Sequence, residues 1–204
     1  MTRFLLVRHA INEWVRTGKL AGWTPEVHLN DEGKKQAKAL GERLASVNLE
    51  AIYSSPLVRC VETAEEIASH HENVNVTLED GIGEVHYGQW QGAKISRLAQ
   101  RKEWYTVQHF PTRMEFPEGE TMRGAQARAV DTIEQLHLNH PKGNVVVAGH
   151  SDVIKMILAH YLGMHLDMFQ RIAISPASLS MLSLGSNRPM IENMNDTSHI
   201  PSKK

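Results

Sequence analysis

At 204 residues, with 41% hydrophobic and 22% charged side chains, the chain is long enough to bury a full core and too apolar for a disordered or collagen-like polymer. Twenty-two Lys and Arg against 23 Asp and Glu give a formal charge of −1, which leaves no basic excess for sequence-independent binding of nucleic acid or an anionic membrane. A single cysteine, Cys60, excludes an internal disulfide framework and a multi-cysteine zinc site, so the one unusual count is 12 histidines.

Phe4 to Val7 is a short unbroken apolar run, the pattern of a strand buried on both faces. It is too short for a signal-peptide core, and no stretch approaches the roughly 20 apolar residues of a membrane span, so a cytoplasmic setting is expected. Asp31 to Val47 is predicted as a helix capped by Asp31, with Ala37, Leu40 and Leu44 at helical spacing. Ala51–Tyr53 reads as a short strand, and a helix follows with Pro56 at its first position and Val61, Ala64 and Ile67 on one face. Val74 to Leu78 alternates like a half-buried strand.

From Glu79 to Gly119 no period is sustained, and glycine, proline and aromatic residues cluster. An irregular stretch of this length, about residues 79–120, is expected to form a substrate lid. Met122 to Leu138 is again helical; Val145–Ala148 is a second buried strand; Ser151 is expected to cap a helix that stops at Gly163. Arg171–Ile174 and Leu179–Leu184 read as two further strands, and the tail from Ser186 to Lys204 as polar surface. The late strands near Leu179–Leu184 and Met190–Met194 would present an exposed sheet edge, which leaves a homodimer open. Strands alternating with helices predict an α/β fold, a three-layer sandwich with a mostly parallel sheet and helices on both faces, in one domain over residues 1–204.

In such sheets ligands bind beyond the carboxyl ends of the strands. Two buried strands end in histidine, Val7 running into Arg8-His9 and Ala148-Gly149 into His150-Ser151, and Arg59 lies at the start of the helix after another strand. Two arginines, two histidines and a helix N-terminus form a pocket of donors suited to a phosphate dianion. An imidazole there can attack phosphorus and form a phosphohistidine. The departing alkoxide then needs a proton, and Glu84 in the irregular segment is the best-placed donor.

These residues stand in motifs that resemble the histidine phosphatase superfamily, which includes phosphoglycerate mutases and many small phosphatases. The resemblance covers Leu6-Val7-Arg8-His9, Gly18 to Trp23, Leu29 to Ala37, Ser54 to Ala64, Glu84 to Gly88, Gly119-Glu120-Thr121 and Val147 to Ser151. It implies a phosphoglycerate mutase-like fold, with His9 as the phosphorylated nucleophile, Arg8, Arg59 and His150 as the phosphate clamp and Glu84 as the proton donor. It also implies contacts to substrate from Ala21, Gly22 and Tyr87, and it requires no metal or cofactor. Asn12 and Ser151 join the candidate substrate contacts.

Three positions depart from the family pattern. Ala10 replaces a glycine, Asn12 a Ser or Thr, and Val15 an Asn. Mutases of the family carry an arginine pair in the segment that here runs from Trp104 to Phe116, where this chain has Arg113 and a nearby His109. The expectation is a phosphomonoester hydrolase for a small organic phosphate. Mutase-type phosphoryl transfer and a weakened, non-catalytic phosphate binder are the alternatives.

Overall fold

The computed structural model describes residues 1–185 and 187–201; Ser186 and residues 202–204 of the expected surface tail lie outside the described residues. In chain order the elements are β1 (Thr2–Arg8), α1 (Glu13–Arg16), α2 (Asp31–Leu44), β2 (Leu49–Ser54), α3 (Val58–Ala68) and β3 (Val76–Leu78). They continue with α4 (Ile95–Leu98), α5 (Lys102–His109), α6 (Met122–Asn139), β4 (Gly143–Gly149), α7 (Ser151–Tyr161), β5 (Leu179–Leu184) and β6 (Met190–Asp196). The described strands form a six-stranded sheet in the order β3-β2-β4-β1-β5-β6. The first four run parallel, β5 pairs antiparallel with β1 and β6 antiparallel with β5, so the sheet is mostly parallel as expected.

Alternation along the central strands builds two cores. Phe4 and Leu6 of β1 and Val145 and Val147 of β4 face one side, where Ala125, Ala129 and Ile133 of α6 and Ile154, Ile157 and Leu158 of α7 cover them. Leu5, Val7, Val146 and Ala148 face the other, against Leu40 and Leu44 of α2 and Ala64 and Ile67 of α3. Both faces being covered is what makes these strands read as continuous apolar runs. Among the described residues no helix is long and apolar enough to cross a membrane.

Several boundaries differ from the sequence expectation. Asn30, not Asp31, caps α2, because its side-chain oxygen accepts the Gly33 N–H at 2.8 Å; Asp31 is the first-turn acid. Helix α3 starts at Val58 rather than Pro56. His150 is the cap residue of α7 and Ser151 its first helical residue, whose hydroxyl donates to the Ile174 carbonyl at 3.4 Å. The irregular segment contains two short helices, α4 and α5.

Arg171–Ile174 is not a strand: Leu166–Arg171 forms a 3-10 turn, and Ile172 and Ile174 are buried in extended or irregular backbone outside the sheet. The Ile174 carbonyl accepts from Arg8 and Ser151 instead of joining a ladder. Of the strands expected at an exposed edge, β5 is interior, and the Met190–Met194 stretch lies in β6, the edge itself, within the tail that reads as polar surface.

Register delivers the functional residues. Arg8 of β1 pairs with Gly149 of β4, and Ser54 of β2 pairs with Ala148, so His9 and His150 leave adjacent strands at the same level and Ser55 leaves the next strand one residue earlier. Leu6 is 1% exposed at the centre of this arrangement. Replacing it with alanine removes packing on the α6 and α7 side, and denaturant unfolding of Leu6→Ala is expected to show a loss of about 2–5 kcal/mol.

Candidate active site

A cavity of about 210 Å³ opens at this edge, lined by Arg8, His9, Asn12, Arg59, Glu84 and Ser151 among others. Ala21 and Tyr87 also line it, so eight of the ten candidate residues face one space. The other two stand behind it. His150 is fully buried against His9, with ring centroids 5.4 Å apart. The Gly22 carbonyl accepts Arg59 Nη2 at 2.7 Å, and its φ of +52° is a conformation that glycine adopts without strain. A roomier cleft between α2 and Ile200–Pro201 is lined by Glu32, Lys35, Gln36 and Ala39 and brings no histidine or arginine together.

His9 is 4% exposed, and its Nδ1 lies 2.8 Å from the carbonyl oxygen of Ala10. A carbonyl only accepts, so Nδ1 carries the ring proton and Nε2 keeps its lone pair. Burial, reinforced by the Arg59 and Arg8 guanidiniums, holds the imidazole well below its usual pKa, which leaves the ring neutral. Burial and Arg59 depress His150 in the same way. The His150 ring is fixed by Ser55 Oγ at 2.8 Å from Nε2 and by Arg59 Nη2, which donates to Nδ1 at 3.4 Å.

Arg8 Nη1 donates to the Ile174 carbonyl at 2.6 Å. Four buried N–H donors, Arg8 Nε, Arg59 Nε, Arg59 Nη1 and Asn12 Nδ2, have no acceptor in the protein. Among the described residues six buried side-chain polar atoms lack partners, so four of the six belong to residues lining this one cavity. Unpaired buried donors are costly, and this concentration of them matches the oxygens of an anion.

Glu84 faces the same cavity. Burial and the negative charge of Asp152 push its carboxyl up to about 7, against the downward pull of Arg59 and Arg8. Its Oε2 lies 3.6 Å from His150 Nδ1, and with His150 held neutral this contact is an ion pair only when a proton moves onto the imidazole. Tyr87 donates to Asp152 Oδ2 at 3.0 Å, and Lys155 Nζ lies 3.3 Å from Oδ1. Cys60 Sγ is 3.4 Å from His150 Nε2, but burial pushes the thiol up to about 12, so it packs as a neutral neighbour.

The departures from the family pattern fall into place. Ala10 is fully buried and packs with Leu29, Ala37 and Ala177, and it is not among the described cavity-lining residues. Its extra methyl therefore does not crowd the anion position. Asn12 Oδ1 accepts the Val15 N–H, which leaves Nδ2 for the cavity, and Val15 lines the wall as an apolar residue.

Two features escaped the sequence reading. One is Asp152, two residues beyond His150 in the first turn of α7. The other is Arg128 on α6, which holds the backbone around Glu84 from behind. Its guanidinium donates to the carbonyls of Gly81, Gly83 and Glu84, each at 2.9 Å, and to both carboxylate oxygens of Glu120. Glu120 in turn accepts the His86 N–H at 2.8 Å. Loss of this clamp takes the guanidinium from three carbonyls and from Glu120, leaving Glu120 the His86 N–H and the Glu84 carbonyl the Trp23 indole N–H. Arg128→Ala is expected to lose about 3 kcal/mol in urea unfolding, with faster amide exchange at residues 81–86. Arg128→Lys should recover little, because a single ammonium cannot reproduce the fork.

The comparisons with known proteins agree with this geometry. The pattern of the histidine phosphatase superfamily (branch 1) matches residues 4–197. The chain is 32% identical over 205 residues to phosphoserine phosphatase 1 of Hydrogenobacter thermophilus, covering 98% of this chain and 95% of that one. It is 29% identical over 164 residues to a 2,3-bisphosphoglycerate-dependent phosphoglycerate mutase 2 of Gloeobacter violaceus, covering 78% and 74%. Among solved structures, Bacillus stearothermophilus YhfR superposes with a TM-score of 0.92 at 24% identity, covering 98% of this chain and all of that one. A family pattern matched along nearly the whole chain, a relative aligned across the same span, and paired strand-end histidines lead to one statement: the chain belongs to the histidine phosphatase superfamily.

Proposed function

We propose that the chain is a phosphomonoester hydrolase that works on a small organic phosphate through a phosphohistidine on His9. The observation that carries this reading is the set of four orphaned N–H donors grouped beside a neutral, oriented imidazole. Arg8, Arg59 and Asn12 receive the phosphate oxygens, and His150 supports them once the dianion draws a proton onto it.

In the first step His9 Nε2 attacks phosphorus, the P–O ester bond breaks, and its electron pair leaves on the alcohol oxygen, which takes the proton of Glu84. In the second, water attacks phosphorus, ionised Glu84 takes a proton from it, the P–N bond breaks, and orthophosphate and neutral His9 are restored. Positioning and fixed charge supply most of the acceleration, as is usual for phosphoryl transfer. The name of the Hydrogenobacter relative makes phosphoserine the first ester to assay.

Phosphoglycerate mutase activity is the competing reading. It requires the pocket to hold a second, carboxylate-bearing anion. Arg113, the arginine that sequence places for that task, stacks over Phe110 at 5.2 Å and is not among the described cavity-lining residues. With 3-phosphoglycerate and 2,3-bisphosphoglycerate, phosphate release is expected to exceed formation of the 2-isomer; the reverse ratio would favour the mutase.

Two further outcomes test the mechanism. His9→Ala should abolish turnover and the acid-labile phosphate that acid-quench labelling of the unaltered protein is expected to trap; activity retained without His9 would sink the assignment. The donor step needs protonated Glu84, so its active form disappears as pH rises through about 7. His9 must be neutral, and its depressed pKa puts the acid limb well below the usual histidine range. For an alkyl phosphate kcat/KM should therefore decline about tenfold per pH unit on the alkaline side. Glu84→Gln should remove that limb and, with p-nitrophenyl phosphate, give a burst of one nitrophenol per site before slow turnover, because that leaving group needs no proton donor.

A further inference from the structure

The anion cavity has a neighbour. Leu20, Tyr87, Ile95 and Asp152 line both it and a second chamber of about 180 Å³. These shared walls place the chamber next to the phosphate position, on the side where Tyr87 and Asp152 stand. An ester whose phosphoryl group meets His9 carries its organic part past these four side chains.

The chamber is aromatic. Trp90 and Trp104 stack with centroids 6.2 Å apart and 20° between planes, and Phe116 stands edge-on to Trp90 at 5.2 Å and to Tyr87 at 5.1 Å. Val107 of α5 adds an aliphatic patch, and the neutral amides of Gln108 and Gln170 supply polar atoms. Among the described residues lining it, Asp152 is the one charged side chain, and its carboxylate already accepts from Tyr87 and Lys155.

Size and charge then select the occupant. A dry cavity of about 150 Å³ accommodates a benzene ring, so this chamber holds one ring or a branched alkyl group of similar bulk. A carboxylate entering it would meet Asp152 and lose its water with no cation lining the walls. An ammonium would find Asp152 already shared between a lysine and a phenol. We infer that the chamber is the leaving-group subsite, and that it takes the uncharged, apolar alcohol portion of a phosphomonoester, aryl-alkyl or branched alkyl. This rests on the proposal that the phosphoryl group binds at His9.

Binding and turnover separate the two ideas. Phosphonates bind without being hydrolysed, so calorimetry on the unaltered protein can compare 3-phenylpropylphosphonate with propylphosphonate, which differ only in the ring. The ring is expected to tighten Kd by about tenfold or more; equal or weaker binding overturns the subsite. In turnover, kcat/KM for 2-phenylethyl phosphate should exceed that for ethyl phosphate and for O-phosphoserine, and a preference for phosphoserine overturns the assignment of an apolar leaving group. Val107→Phe fills the chamber and should bring the ratio of the two phosphonate affinities toward one; a ratio that survives in the folded variant overturns the proposal. Should that variant fail to fold, the phosphonate pair on the unaltered protein decides alone. A protein that hydrolyses none of these esters yet shows the phosphonate preference retires the hydrolase reading and keeps the subsite.

Discussion

Two guanidinium groups held at the end of the sheet, one of them 1% exposed at Arg59, set the conditions for everything around them. Charge taken out of water has to be met by fixed dipoles or counter-charge. Here the Ile174 and Gly22 carbonyls meet part of that demand, and three guanidinium N–H groups are left over. The same positive field, added to burial, keeps His9 and His150 from protonating. A neutral imidazole can act as a nucleophile, whereas an imidazolium cannot. The unpaired donors and the neutrality of His9 thus have one physical source.

Rigid elements deliver that arrangement. The parallel register of β1 and β4 sets the two histidines side by side, and the N-terminus of α7 begins at the second of them. Glu84 comes instead from the irregular segment, where no ladder fixes the chain. Arg128 and Glu120 take over that function from outside the segment's regular structure, tying three consecutive-region carbonyls to α6 and the His86 amide to the start of the same helix. Trp23 adds a fifth tie, its indole N–H donating to the Glu84 carbonyl at 2.6 Å while its ring stacks on His86. A proton donor on a loop is as well placed as one on a strand only when it is braced in this way.

The contrast explains what could be read from residues alone. His9, His150 and Arg59 were legible because strand ends and helix starts are local patterns, and topology gathers them at one edge. Arg128 and Glu120 were not, since their partners are backbone carbonyls and amides that become addressable only once the segment has folded. Arg171–Ile174 misled for a related reason. Its alternation of buried Ile172 and Ile174 is real, but alternation records side-chain burial and is silent on where the carbonyls go, and the Ile174 carbonyl goes to Arg8. Asp152 carries no sequence signal of its part in the site, because an acid in the first turn of a helix is favoured there in any case.

Asp152 also links the proton inventory of the site to its choice of substrate. Its charge is second only to burial in raising Glu84, while Arg59 and Arg8 pull the other way, and the balance leaves Glu84 near 7. An arriving phosphate dianion adds negative charge beside both groups and drives Glu84 further toward the protonated, donor form. In the proposed mechanism, once the alcohol has taken that proton and left, the Glu84 carboxylate faces the phosphohistidine with water as the acceptor it activates. A carboxylated alcohol, such as a mutase must keep in place for the return transfer, would have to remain against Asp152 throughout this interval. On the proposed mechanism, the same carboxylate that raises Glu84 therefore also disfavours the acceptor a mutase needs, and both effects favour hydrolysis over return transfer.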